Sequence, residues 1–195
     1  MIFNQIETHY QSILKENQVV ALWIIIMGTA GTGKLYLIKA IRQLLRSMLR
    51  NRSELSVLVI IPTGVAAYNI NGTTIYSTLL ILIFNCNLFD IDNNNLKQLQ
   101  DWLEKVIYLI INEKSMVRWR MLRLINLRLK QAFSNQSNEL FRGWSILIFR
   151  DFGQLPPVFD LSMFSNDASC DINSNNNIVV YKHLLEAYKF DVVQW

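Results

Sequence analysis

A glycine-rich heptapeptide, Gly28-Thr29-Ala30-Gly31-Thr32-Gly33-Lys34, lies directly between an apolar run, Val19 to Met27, and an amphipathic run, Lys34 to Arg50. No other feature of the chain constrains its fold as tightly. The glycines let successive backbone N–H groups curl around an anion, and a helix opening at Lys34 adds the positive end of its dipole. That arrangement works only when a strand delivers the loop and a helix leaves it. Loops of this kind read G-x-x-x-x-G-K followed by Ser or Thr, whereas Leu35 follows the lysine here. The loop therefore predicts a seat for a nucleoside triphosphate, with Lys34 reaching the β and γ phosphates. Leu35 predicts a weak hold on the metal. The competing reading, a glycine turn before a helix with an incidental lysine, is disfavoured by the strand–loop–helix context.

The remaining sequence repeats the same alternation. Helices are expected over Gln5–Lys15, Lys34–Arg50, Gly64–Asn69, Leu96–Lys105, Ser115–Phe133 and Tyr181–Tyr188. Short apolar runs predict strands at Val19–Met27, Ser56–Ile61, Val106–Ile111 and Ser145–Phe149, with a further one beginning near Phe190. Asn71-Gly72 signals a turn, Asn93 to Asn95 reads as a break, Leu79–Leu88 is ambiguous, and the Asn-rich stretch Asn166–Asn177 reads as a loop. Strands alternating with helices predict an α/β fold with a mostly parallel sheet flanked by helices. In such sheets ligands bind at the carboxyl ends of the strands.

Composition fits this class. The chain has 195 residues, 51% of them hydrophobic, and a mean hydropathy of +0.20. Parallel strands buried on both faces produce such runs, and 195 residues suffice for one domain with a buried core. The longest apolar run near the start falls well short of the roughly 20 residues of a membrane span. The polar, amphipathic N-terminus is no secretory signal. Cys86 and Cys170 lack metal-ligand spacing and read as reduced thiols of a cytosolic or nuclear protein. A net charge of +4 is compatible with a polyanionic partner.

Two more motifs come at the ends of predicted strands. Asn112-Glu113 comes after VIYLII, where phosphate-loop enzymes carry an acidic pair that holds magnesium and polarises the attacking water. Asn112 is the weaker metal partner, and Glu113 keeps the role of base. Asp151-Phe152-Gly153-Gln154-Leu155-Pro156-Pro157 comes after SILIF. A glutamine at such a strand end can touch the γ-phosphate, and the two prolines stiffen the next segment of chain. Taken alone, the first is also an ordinary strand-end turn and the second a proline-rich loop.

Together these motifs resemble those of the Pif-type (petite integration frequency) DNA helicases, relatives of RecD also found in Helitron transposons. The matching segments are GTAGTGK (28–34), PTGVAAYNINGTTIYS (62–77), LIINEKSMV (109–117) and DFGQLPPV (151–158). The resemblance implies a RecA-like phosphate-loop domain, an ATP-dependent DNA helicase activity, and roles in DNA repair, recombination and telomere maintenance in the nucleus or mitochondrion. It assigns nucleotide binding to Gly28, Thr29, Ala30, Gly31, Thr32, Gly33 and Lys34, with Gln5 reading adenine. It makes Glu113 the activator of water, Gln154 the γ-phosphate sensor, and Asn112 with Glu113 the magnesium site. Thr63, Gly64, Thr74 and Tyr76 are its candidate contacts to single-stranded DNA.

The chain departs from the family pattern, which has Ser at 35, Asp at 112, His at 76 and Gly at 150. Here those positions hold Leu35, Asn112, Tyr76 and Arg150. One lost supporting contact commonly costs roughly 10- to 100-fold in metal affinity or activity. The family also continues past the position of Trp195 into a second RecA-like domain that carries the arginine completing the ATP site. An arginine of that kind is worth about 10³-fold or more in rate. The expectation is a single RecA-like domain over residues 1–195, a first motor domain that binds ATP over a weakened Mg²⁺ site and hydrolyses it poorly alone. The alternative is a non-catalytic remnant that binds nucleotide or single strands; a small-molecule kinase would leave PTGVAA and DFGQLPP without a purpose. On the basic stretch, Lys114, Arg118, Arg120, Arg123, Arg128 and Lys130 read either as a solvated face or as contacts to nucleic-acid phosphates. The whole assignment requires Lys34, Glu113 and Gln154 to surround one triphosphate pocket.

Overall fold

The computed structural model describes residues 2–15, 19–48, 57–81, 91–112, 119–134, 139–151 and 191–194. Its elements in chain order are α1 (Ile2–Leu14), β1 (Trp23–Met27), α2 (Lys34–Met48), β2 (Val57–Ile61), α3 (Gly64–Asn69), β3 (Thr73–Thr74), α4 (Ile75–Leu79), α5 (Asn93–Leu103), β4 (Tyr108–Ile111), α6 (Trp119–Ala132), a 3₁₀ turn (Leu140–Gly143), β5 (Ser145–Arg150) and β6 (Asp191–Gln194). The strands form one sheet in the order β3-β2-β4-β5-β1-β6, and every neighbouring pair is parallel. The predicted α/β architecture is therefore present.

Alternation along each strand splits the core in two. Trp23 and Ile25 of β1 join Leu58, Ile60, Leu109, Ile111, Ile146 and Ile148 on one face, packed against α4, α5 and α6. Ile24 and Ile26 join Val57, Val59, Ile61, Ile110, Leu147 and Phe149 on the other, against α1, α2 and α3. Strands β1, β2, β4 and β5 are thus apolar on both sides, because each face is roofed by helices. Helix α1 reaches its core with Ile2, Ile6 and Tyr10, one residue per turn of a single stripe.

The differences from the sequence reading have local causes. Helix α5 starts three residues before the expected Leu96, because the Asp92 carboxylate accepts a bond from the Asn95 N–H at 2.8 Å. The asparagines read as a break are the first turn of a capped helix. Strand β1 starts at Trp23 rather than Val19. Strand β3 and helix α4, unforeseen in the sequence, come after the Asn71-Gly72 turn, which Arg42 ties to α2 through the carbonyls of Ile70 at 2.7 Å and Asn71 at 3.2 Å. Of the basic residues on α6, Arg128 is buried, not solvated. Its guanidinium bonds the Leu80 carbonyl at 3.0 Å and the Gln131 side chain. Among the tryptophans, Trp23 and Trp144 are core residues, whereas Trp102 is exposed. Lys114, Arg118, Cys86, Cys170, the loop at 166–177 and the helix at 181–188 lie outside the described residues.

Candidate nucleotide site

Parallel register fixes what meets the glycine loop. Strand β5 lies between β4 and β1. Met27, the last residue of β1, pairs with Arg150, and Gly28 N–H donates to the Arg150 carbonyl at 3.1 Å. The residue after Arg150, Asp151, thus stands beside the start of the loop. On the other side, Ile111 pairs with Ile148, which brings Asn112 level with Phe149. Three adjacent strands therefore present the loop, Asn112 and Asp151 in one row at their carboxyl ends.

The loop turns as its glycines require. Gly31 and Gly33 have φ of +79° and +81°, a region costly for residues with a Cβ. The Thr32 hydroxyl donates to the Thr29 carbonyl at 2.9 Å. Helix α2 begins at Lys34 and runs for 15 residues, so its N-terminal N–H groups and dipole face the loop's concavity. A cavity of about 420 Å³ opens here, lined by Ala30, Gly31, Gly33, Lys34, Leu35, Asn112, Phe149 and Asp151.

Lys34 is the centre of the site. Its ammonium donates to the carbonyls of Gly28 at 3.0 Å and Thr29 at 2.6 Å, and to the Asp151 carboxylate at 3.1 Å. An ammonium has three protons to donate, and all three go to the protein itself. The ion pair is well covered, with the Asp151 side chain only 3% exposed. Phosphate can reach Lys34 only by displacing one of these acceptors.

The sequence-predicted residues fall into three groups. Gly28, Thr29, Ala30, Gly31, Thr32, Gly33 and Lys34 form the loop as expected, and Asn112 is buried at its side. Glu113 and Gln154 lie outside the described residues; Asn112, which precedes Glu113, and Asp151, three residues before Gln154, line the cavity with Lys34. Gln5 is an exposed residue of α1 and does not line the cavity. The strand-contact candidates lie elsewhere on the same edge. Thr63 precedes α3, which opens at Gly64. The Thr74 hydroxyl caps α4 by accepting the Ser77 N–H at 3.1 Å, and Tyr76 packs partly buried against the core.

Asp151 is the cavity residue that motif reading quoted without a role. Its signal was available: an acidic residue directly after a buried strand, as Asn112-Glu113 comes directly after β4.

A divalent ion does not fit the described residues well. Magnesium requires oxygen ligands. Leu35 offers none, Asn112 offers a neutral carbonyl, and the Asp151 carboxylate is already engaged by Lys34. Among the described residues no cluster of three metal-ligating side chains occurs.

Comparison with known proteins places this geometry. The family model for PIF1-like helicases matches residues 2–180. The ATP-dependent DNA helicase Pif1 of a Psychrobacter species is 36% identical over 138 residues, which is 69% of this chain and 20% of that protein. The ATP-dependent DNA helicase PIF1 of Candida albicans is 36% identical over 137 residues, 67% of this chain and 14% of the relative. The chain thus spans a fifth or less of the length of these two relatives. Among solved structures, a Bacteroides Pif1 helicase in complex with ADP-AlF3 and single-stranded DNA superposes with a TM-score of 0.59 at 24% identity, covering 94% of this chain and 40% of that one. The Candida albicans Pif1 helicase superposes with a TM-score of 0.57 at 30% identity, covering 80% and 33%.

Proposed function

Because the chain belongs to the PIF1-like helicase family, whose members are ATP-dependent DNA helicases, we propose that it is the nucleotide-binding motor domain of such an enzyme. In this reading it binds ATP in the loop of residues 28–34 and single-stranded DNA along the same edge of the sheet. The single observation that carries the nucleotide assignment is the placement of Lys34. It lies at the mouth of a glycine loop, at a helix N-terminus, next to a buried carboxylate from the neighbouring strand.

Each residue then has a task. The backbone N–H groups between Gly28 and Lys34 bind the phosphate oxygens. Lys34 leaves Asp151 and pairs with the β and γ phosphates. By motif, Glu113 accepts a proton from the attacking water and Gln154 touches the γ-phosphate. Thr63, Gly64, Thr74 and Tyr76 are proposed to contact the single strand; the Bacteroides relative has been crystallised with such a strand.

Family membership implies ATP use, typically with a divalent metal. With Leu35 and Asn112 in place of a hydroxyl and a carboxylate, the proposal for this chain is nucleotide binding that depends little on magnesium and hydrolysis that is slow. Those two residues also favour the second reading, a non-catalytic module that binds nucleotide or single strands. A fluorescent ATP analogue titrated with and without magnesium, followed by phosphate release with single-stranded DNA present, separates them. Release that grows with DNA supports the motor. Metal-independent binding without release supports the module, and no nucleotide binding at all refutes both.

A further inference from the structure

Away from the phosphate loop, a second groove of about 270 Å³ is lined by Thr73, Ser77, Thr78, Leu80, Asn95, Gln98, Leu99 and Trp102. Asn95, Gln98 and Trp102 fall at i, i+3 and i+7 of α5, one stripe of the helix, with buried Leu99 beneath them. The opposite wall belongs to β3 and α4. There the Thr78 hydroxyl donates to Thr73 Oγ1 at 2.6 Å, and Ser77 is held by Thr74.

The chemistry of this lining is specific. Among the described residues no charged side chain lines the groove. The carboxamides of Asn95 and Gln98 have no hydrogen-bond partner among the described residues and are exposed. Two large apolar groups flank it, the Trp102 indole at 38% exposure and the Leu80 side chain at 42%. The Leu80 rim is rigid. Its φ of 51° places it in the left-handed region, and the buried Arg128 holds its carbonyl at 3.0 Å. A flat, neutral ligand with donors and acceptors on its edge suits such walls. Its face would lie on the indole and its edge would meet the carboxamides. The groove also adjoins Thr74, one of the proposed strand contacts, since Ser77 bonds both the hydroxyl and the carbonyl of Thr74.

We propose that this groove receives one unpaired nucleobase of the bound strand, stacked on Trp102 and met by Asn95 and Gln98. The proposal rests on the reading that the chain binds single-stranded DNA. It assigns to Trp102 a contribution from the base rather than the phosphate.

The test uses the full chain, a thymidine homopolymer and the same oligonucleotide carrying abasic positions. Trp102→Ala weakens binding by about 5- to 150-fold, the range for one lost base–aromatic stack. Trp102→Phe, which keeps a stacking face, stays within a few-fold of the parent. Since the lost contact is uncharged, the slope of log K against log salt is unchanged. Abasic substitution weakens binding to the parent and has little further effect on Trp102→Ala, the non-additivity of a shared contact. Gln98→Ala, on an exposed side chain, gives a smaller loss without any change of fold. If the chain binds the oligonucleotide and Trp102→Ala leaves affinity unchanged, or alters the salt slope instead, the groove assignment is wrong and the strand-binding reading stands. Preference for an aromatic peptide over the oligonucleotide at this groove also overturns it. Absence of any oligonucleotide binding by the parent overturns the strand-binding reading itself.

Discussion

Asp151→Asn tests the Lys34–Asp151 pair from both sides of the binding equilibrium. In the free protein the carboxylate supplies one of three acceptors to the ammonium, at 3.1 Å and almost wholly buried. A hydrogen bond to a charged group is worth about 1.5–3 kcal/mol net, and a neutral one about 0.5–1.5. The carboxamide keeps an oxygen acceptor in place, and the bonds to the Gly28 and Thr29 carbonyls are untouched. The loss is therefore about 1–2 kcal/mol, not the 3–5 of a buried ion left without a partner. On the proposed reading Lys34 faces phosphate instead in the nucleotide-bound protein, so the pair is already broken and the substitution costs less there. The difference appears as tighter binding, about 5- to 30-fold. Removing a buried negative charge from beside the phosphates acts in the same direction. The assays are urea unfolding without nucleotide and titration with ADP in the presence of a chelator, so that metal plays no part. A Lys34→Met, Asp151→Asn double-mutant cycle on stability isolates the pair, with a coupling of about 1–2 kcal/mol expected. A folded Asp151→Asn protein that binds ADP no more tightly than the parent, or a coupling of zero, refutes the reasoning.

Restoring oxygen at the metal position, with Leu35→Ser and Asn112→Asp together, raises nucleotide affinity in magnesium by about 10- to 100-fold and has little effect in chelator, as calorimetric titration would show. Gly72→Ala destabilises by about 1–3 kcal/mol through overpacking, because its Cβ would fall 2.9 Å from Ile61 Cδ1 and 3.1 Å from the Val59 carbonyl; a thermal melt checks this. Stability also falls in acid through His9. Its ring accepts from the Tyr108 hydroxyl at 2.6 Å and donates to the Val20 carbonyl at 3.0 Å, and burial lowers its pKa below 6.5. The unfolded chain therefore binds the extra proton more readily. His9's contribution is complete above pH 6.5 and declines as pH falls through that value toward the folded pKa. Urea midpoints measured at about pH 8 and then at successively lower pH below 6.5 should show the loss, and His9→Gln should make it shallower.

Much of the fold was legible because its signals are local. An apolar run that ends at a glycine loop can only be a buried strand, and the stripe of Leu37, Ile38, Ile41 and Leu45 on α2 arises from helical spacing. What the sequence concealed depends on partners distant along the chain. Arg128 reads as a surface cation until the Leu80 carbonyl, 48 residues earlier, takes its guanidinium. Asp151 acquires its place beside Lys34 only through the β1–β5 register, which no periodicity encodes. Helix α5 was misread at its start because asparagine serves both turns and helix N-termini. The loop was found from its pattern. The exposed indole of Trp102 was not, since tryptophan is buried more often than not.

The two halves of the nucleotide site differ in what can damage them. The phosphate seat is built from main-chain N–H groups, two glycines at positive φ and a helix end, all fixed by the strand–loop–helix geometry. A substitution such as Leu35, whose side chain is 43% exposed, leaves that seat standing. The metal position of the proposed site would depend instead on a hydroxyl at 35 and a carboxylate at 112, where this chain has Leu35 and the neutral Asn112. Charge in the cavity divides in the same way. Among its described lining residues, Lys34 and Asp151 cancel, whereas an aspartate at 112 would add a negative charge suited to a cation. A polyphosphate entering the cavity would gain Lys34 only by breaking that pair. On the proposed reading, the backbone seat for a nucleotide is in place, while Leu35 and Asn112 differ from the family pattern at the positions that would hold the metal.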